Sequence, residues 1–316
     1  MPALITHHLF GEESAKLLPD GLVGSEEELL AFLLGNQGPD PFFFRVLGTP
    51  SGVRGALQLG HRMHNERMTR AFQALRESVG RLPEHDRGIG RAFALGMLSH
   101  YALDRVAHPF VYAQQYELVE KGDGLEDAGS AVHALIETDI DVWMLERKRG
   151  LSVEECAPAD ELARTKRIER VAGAMTSAVA WQAFGIDLPA TEYAGAIKNM
   201  EMVYRTIEPA GSVGARTIGA IERLAKPHSQ VQALAHPTQV PKPCASANEG
   251  QRKWTSPFDG KRSNEDFSQV FNRALNGWTP LAQAFTYGGR GLEDAIGHLN
   301  YSGRKLDQEE NCDFED

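Results

Sequence analysis

Apolar side chains recur at i, i+3, i+4 and i+7 through most of this chain, the period of a helix with one buried face. The pattern predicts helices over 12–18, 25–34, 60–78, 89–107, 128–149, 160–184, 190–206, 212–225 and 264–285. Local signals mark several ends. Ser25 stands three residues before Glu28, a capping box for the second helix. Gly150 stops 128–149, and Pro109 is expected to end 89–107, because the residue before a proline avoids helical geometry. Gly35, Gly38, Pro39 and Pro41 make GNQGPDPFFF (35–44) a turn, and LPEHDRG (82–88) reads as a loop. No alternating segment of useful length reads as strand, and no repeat occurs at solenoid spacing. The predicted fold class is therefore all-α: a single large helical domain over 1–303, followed by an acidic tail over 304–316.

One stretch breaks the helical pattern. Residues 226–263 contain Pro227, Pro237, Pro241, Pro243 and Pro257 and no apolar period. A segment this long inside a compact domain is a functional lid or a mobile loop. Its Trp254 and Phe258, in KWTSPFDGK, would be poorly placed in water. The expectation is a lid folded back over a cavity, with the two rings excluding water from it.

Composition narrows the function classes. Hydrophobic residues are 42% and charged residues 24%, ordinary for a globular protein. The net charge of -10 disfavours a phosphate backbone unless positive charge is concentrated locally, so no stable nucleic-acid partner is expected. Cys156, Cys244 and Cys312 are scattered and make neither a disulfide framework nor a zinc–thiolate site. No apolar run approaches the ~18 residues of a membrane span. The start, MPALITHHLFGEESAKLL, lacks a basic segment followed by an apolar one. A cytoplasmic protein without transmembrane segments is the expectation.

The chemistry lies in the histidines, eight of whose eleven fall within residues 1–133. In HYALDRVAH, His100, Asp104 and His108 stand at i, i+4 and i+8, one stripe of a helix that is otherwise apolar at Phe93, Leu95, Met97, Leu98, Leu103 and Val106. In HALIETDID, His133, Glu137 and Asp141 repeat that spacing among Val132, Leu135, Ile136, Ile140, Val142 and Trp143. A buried carboxylate without a partner is costly, and a metal ion removes that cost. Two such helices face to face would converge six ligand-type groups, which suits a zinc cluster in a helical bundle. A lone His–x3–Asp pair is more often structural; two triplets on two apolar helices reverse that weighting. Asp40 in GPDPFFF sits on a rigid turn that can aim one carboxylate. His61 and His64 in LGHRMHNE lie one turn apart, and His7 and His8 open the first segment.

Taken in order, THHLFG, GPDPFFF, RMHNE, LSHYALDRVAHP and HALIETDID resemble the zinc-dependent phospholipase C family, related to the fungal single-strand-specific zinc nucleases. The resemblance covers roughly residues 5–145. It implies the helical bundle of that family and two or three zinc ions. One zinc would take Asp40, His64, His100 and a bridging Asp104; a second His108, His133 and Glu137; a third Asp104 and His7. His64 is preferred over His61 because it precedes a polar residue and an acid, and His7 over His8 because it follows a Thr. Secreted members complete the third site with an N-terminal Trp. The first Trp here is Trp143, leaving His8 or Glu12 as substitutes on offer. The implied activity is hydrolysis of a phosphodiester by metal-activated water, phospholipase C fashion, with Asp40 as catalytic base. Phe42 and Phe43 would bind substrate, a quaternary ammonium included. The resemblance also allows peripheral membrane contact. A zinc nuclease or nucleotidase, and a non-catalytic metal-binding protein of the same fold, are the competing readings.

Overall fold

The computed structural model describes residues 4–122, 124–224, 227–288 and 290–306. The predicted tail lies outside the described residues from Asp307 onward, as does Cys312. The fold is all-α and a single helical domain. Its helices are α1 (Leu4–Lys16), α2 (Glu26–Gly35), α3 (Pro50–Asn65), α4 (Met68–Arg81), α5 (Arg87–Lys121), α6 (Gly129–Arg149), α7 (Lys166–Phe184), α8 (Thr191–Ile207), α9 (Val213–Glu222), α10 (Gln230–Ala233), α11 (Phe267–Tyr287) and α12 (Arg290–Ile296). Short 3-10 turns occupy Asp40–Phe44, Glu84–Asp86 and Pro158–Leu162. A hairpin, β1 (Trp254–Thr255) antiparallel to β2 (Arg262–Ser263), pairs Trp254 with Ser263. No described helix is long and apolar enough to cross a membrane.

The bundle is built around α5. Its 35 residues span roughly 50 Å at 1.5 Å per residue. From Ile89 to Asp104 nearly every side chain is buried, so α5 is a core helix with neighbours on all sides. Helix α2 crosses it with backbones in contact: a Cβ at Gly35 would meet the Phe93 carbonyl, and one at Gly96 the Phe32 carbonyl. This crossing carries Asn36 and the Asp40 turn onto the His100 turn of α5. The capping box forms as expected, with Glu28 N donating to Ser25 Oγ and Ser25 N to Glu28 Oε2, each at 3.2 Å. Gly150 closes α6 in the left-handed conformation, φ 68°.

Several boundaries differ from expectation: α1 begins at Leu4 rather than 12, and α3 at Pro50 rather than 60. Helix α5 runs through Pro109 to Lys121. Pro109 has no N–H for the Arg105 carbonyl, and Gly303 packs on that carbonyl so closely that a Cβ there would collide with it. The predicted helix 60–78 is two helices: Glu66 is extended and Arg67 left-handed, φ 56°. Arg62 and Arg67 each donate to the end of α7, at Phe184 O and Ala183 O, a tertiary anchor no local pattern shows. The Pro-rich segment is tied down rather than free. Asn248, 4% exposed, receives Arg252 N at 2.9 Å and donates to the Arg252 and Glu265 carbonyls at 3.0 Å.

Candidate metal centre

Five elements bring eight ligand-type side chains together. The stripe of α5 presents His100, Asp104 and His108. Helix α6 presents His133 and Glu137 opposite it. Helix α1 adds His7, the 3-10 turn adds Asp40, and the last turn of α3 adds His64. Their donor atoms form three groups, each within 4.8 Å: His7, His100 and Asp104; Asp40, His64 and His100; His108, His133 and Glu137.

Asp104 sits at the middle. Its Oδ1 is 3.1 Å from His7 Nε2, and its Oδ2 is 3.1 Å from His100 Nε2 and 3.6 Å from His108 Nδ1. Asp40 lies 3.0 Å from His64 Nε2 and 3.8 Å from His100 Nε2. Glu137 Oε1 is 3.1 Å from His133 Nε2 and 3.6 Å from His108 Nε2. The rings of His7 and His100 stack at 3.9 Å.

The orientation of the rings decides what this cluster is for. His64 Nδ1 donates to Gly60 O at 2.7 Å, His100 Nδ1 to Asn36 O at 3.1 Å, and His108 Nδ1 to Tyr301 O at 2.8 Å. His133 Nδ1 donates to Gln115 Oε1 at 2.7 Å. Each partner oxygen can only accept, so the proton of each ring is on Nδ1. In the neutral ring Nε2 then offers its lone pair toward a carboxylate. This is how metal-binding histidines are oriented by their outer hydrogen bonds. Among the described residues, His100 Nε2 and His133 Nε2 are buried with no hydrogen-bond partner, as is the hydroxyl of Thr6. At the Thr6 hydroxyl is a small void of about 20 Å³ lined by Thr6, His7, Asp104, His108 and Glu137, room for one ion or one water.

Charge alone cannot be settled by protons. Burial would lower His108, but the Asp104 and Glu137 carboxylates outweigh it and raise it to about 9. Burial, with His108 adding to it, takes His133 the other way, below its ordinary value. Burial pushes the Asp104 carboxyl up, and the imidazoles of His108, His100 and His7 overcome this and hold it well below the usual range. Glu137 is held down in the same way, chiefly by His133. One proton therefore excludes its neighbour, whereas a divalent cation serves several rings at once. The donor set of imidazole nitrogen and carboxylate oxygen fits zinc.

The sequence model of the zinc dependent phospholipase C family matches residues 6–184, more than half of the chain. The chain belongs to this family. No curated protein and no solved structure matches it. The matched span holds all eight side chains of the cluster. It stops short of Tyr301, whose ring packs against His64 at 4.9 Å and His100 at 5.7 Å.

Other expected residues are placed elsewhere. Asp141 does not join the cluster. It accepts from Ile5 N at 2.9 Å and Thr6 N at 2.7 Å, capping α1, and pairs with His236 at 3.0 Å. Eight residues are 2.2 turns, so the i+8 position has drifted about 80° around a straight helix. His8 and Glu12 do not reach the third group. His8 lies 2.7 Å from Glu161 and 3.7 Å from Glu12, and Arg149 pairs with both acids. His61 belongs to no described ligand group; it meets Phe43 edge-on at 4.9 Å.

A cavity of about 480 Å³ opens beside the cluster. His64 and His108 reach it, Phe43 and Val46 form one wall, and Val231 and Leu234, within and just past α10, form another. Phe43 thus faces this space. Phe42 is fully buried and meets Tyr193 edge-on at 5.5 Å, so it backs the wall without lining it. Of the Pro-rich segment, the α10 region lines the cavity. Trp254 packs on Phe110 and Phe258 on Tyr112, both at 5.4 Å, and neither lines this cavity.

The sequence reading missed the groups that orient the rings: the carbonyls of Gly60, Asn36 and Tyr301, and the amide of Gln115. It also missed His236. Backbone acceptors leave no trace in side-chain spacing. Gln115, at i+7 from His108 on the same helix, carries the only local signal among them.

Proposed function

We propose that the protein is a zinc-dependent phosphodiester hydrolase that cleaves a phospholipid at its head group. Asp40, His64, His100 and Asp104 would hold one ion, and His108, His133 and Glu137 a second. His7 and Asp104 would hold a third, with the void beside Thr6 giving it space. Zinc bound there supplies Lewis acidity, bringing the pKa of water toward about 7 and offsetting charge on phosphoryl oxygens. The single observation carrying this reading is the set of four imidazoles with Nδ1 committed to an acceptor and Nε2 turned toward a carboxylate.

The side chains then divide the work. Asp104 touches three imidazoles and sets the spacing between sites. Asp40, held as a carboxylate by His100 and His64 against the effect of burial, accepts the proton of the attacking water. His108 lines both the void and the cavity, so the reacting phosphate sits at its edge. Phe43, Val46, Leu57, Val203, Val231 and Leu234 give the cavity an apolar lining. No Lys or Arg lines it among the described residues. An apolar wall without cations suits a lipid better than a polynucleotide, whose backbone charge would go unmatched.

The test is elemental analysis of the full chain purified without chelator, followed by hydrolysis assays on phosphatidylcholine, a single-stranded oligonucleotide and a mononucleotide. At least two zinc ions per chain and release of phosphorylated head group are expected. Faster cleavage of the oligonucleotide would move the assignment to a nuclease. A chain that takes up no zinc would end both readings.

A further inference from the structure

A second cleft, of about 880 Å³, lies on the other side of the Asn300–Arg304 turn from the metal cavity. Ser302 lines the metal cavity while Gly303 lines this cleft, and Phe258 in its wall meets the cavity residue Tyr112. Its floor is apolar, from Val106, Pro109, Ile296 and Leu299. Its charge is opposite in sign to that of the chain. Arg105, Lys261, Arg262, Arg273 and Lys305 line it, against Asp259 and Glu265. Both acids are engaged: Asp259 pairs with Lys261 at 2.9 Å and Glu265 with Arg273 at 3.2 Å. Arg105 lies over the Tyr101 ring and donates to Ala295 O at 2.8 Å, which leaves its charge unmatched. Arg262 and Lys305 have no carboxylate partner among the described residues.

Three unmatched cations facing one cleft repel one another, and a net charge of -10 supplies no general reason for them to gather. We propose that this cleft is a second, non-catalytic site for the phosphate of an anionic phospholipid. Arginine forks match phosphate oxygens, and the apolar floor takes the glycerol side. A stacked single strand fits less well, because the two rings are already used: Trp254 packs on Phe110 and donates its indole N–H to Glu265 O, and Phe258 packs on Tyr112. The inference does not depend on the metal reading, since no ligand-type residue of the cluster lines this cleft.

Co-sedimentation of the full chain with vesicles tests it. Vesicles of phosphatidylcholine alone are compared with vesicles containing phosphatidylglycerol, and with the R262E/K305E variant. Each cation near an anionic surface contributes about fivefold to binding, so the double reversal should weaken it by about twentyfold or more. The helical circular dichroism spectrum and thermal midpoint should be unchanged, showing that the variant is folded. Calorimetric titration with inorganic phosphate distinguishes the source. Phosphate binding that the variant loses, without any preference for anionic vesicles, assigns the site to a free phosphate compound. Binding to neither probe, or equal binding by the variant, overturns the proposal. So does an oligonucleotide that binds the wild type and not the variant while both phosphate probes fail.

Discussion

Helices α5 and α6 carry the same spacing of ligand-type residues and use it differently. On α5, His100, Asp104 and His108 all face the candidate metal centre. On α6, His133 and Glu137 do, while Asp141 turns to α1 and caps it. The spacing fixes only that i and i+4 share a face. Whether i+8 still does depends on what stands there. The α5 stripe is held by Tyr301 O, which draws His108 Nδ1 and leaves Nε2 3.6 Å from Glu137. Asp141 instead meets two free amides at a helix start and the buried His236. A ligand pattern can thus continue into a structural tie on the same helix without any change in sequence signature.

The largest effect should come from breaking the α5 stripe at its middle. Asp104→Asn removes a carboxylate shared by His7, His100 and His108. It should lower zinc content more than Glu137→Gln, and lower hydrolysis by more than about a hundredfold, beyond what loss of an outer hydrogen bond does. Zinc per chain by elemental analysis checks it. Equal losses in the two variants would remove the bridging role.

Breaking the end of the α6 stripe should have another signature. Asp141→Ala leaves Ile5 N and Thr6 N without their acceptor and His236 with Glu208 alone. Removing one partner of a buried pair costs about 3–5 kcal/mol. A fall in thermal midpoint is expected, with the His108–His133–Glu137 site still binding zinc in the folded fraction. Loss of that zinc at unchanged stability would make Asp141 a ligand after all.

A smaller effect is expected from Gln115→Leu. The amide oxygen that fixes His133 is lost while both ligands of α6 remain. Outer hydrogen bonds of this kind are worth about 10- to 100-fold in metal affinity, so competition with a chelator should show a drop in that range at one site. No change would mean that packing alone orients His133.

These cases show what was legible in the sequence. The capping box at Ser25, the stop at Gly150 and the pairs His100–Asp104 and His133–Glu137 are local, and one helical turn determines them. The ordered motifs from THHLFG to HALIETDID extended the reading to the family, because they survive whatever the chain does between them. Tertiary consequences were not legible. Past Pro109, the Arg105 carbonyl of α5 packs against Gly303, nearly two hundred residues away. The break at Arg67 depends on the end of α7. Trp254 was expected over the cluster because a ring in a proline-rich loop needs cover. It finds that cover on Phe110, and spacing cannot say which apolar surface an unpatterned segment will choose.

The last effect separates the two stripes by pH. His108 and His236 are each raised to about 9 by flanking carboxylates that outweigh burial, Asp104 and Glu137 for the first, Asp141 and Glu208 for the second. A histidine held above its ordinary value of 6.5 stabilises the fold fully below that value. The contribution is lost as pH rises through about 9, because the unfolded chain has already released the proton. The slope is at most about 1.4 kcal/mol per pH unit for each group. In metal-free protein both histidines contribute. In zinc-loaded protein His108 must be neutral to bind, so only the His236 contribution remains. Denaturant unfolding between pH 7 and 9 should therefore give a shallower alkaline loss with zinc than without it. His236→Gln should flatten the zinc-loaded curve further and leave zinc content alone. Zinc affinity itself should rise over the same range, since His108 has less proton to displace. A zinc-loaded protein with the same slope as the metal-free one would mean that His108 keeps its proton and stands outside the metal site.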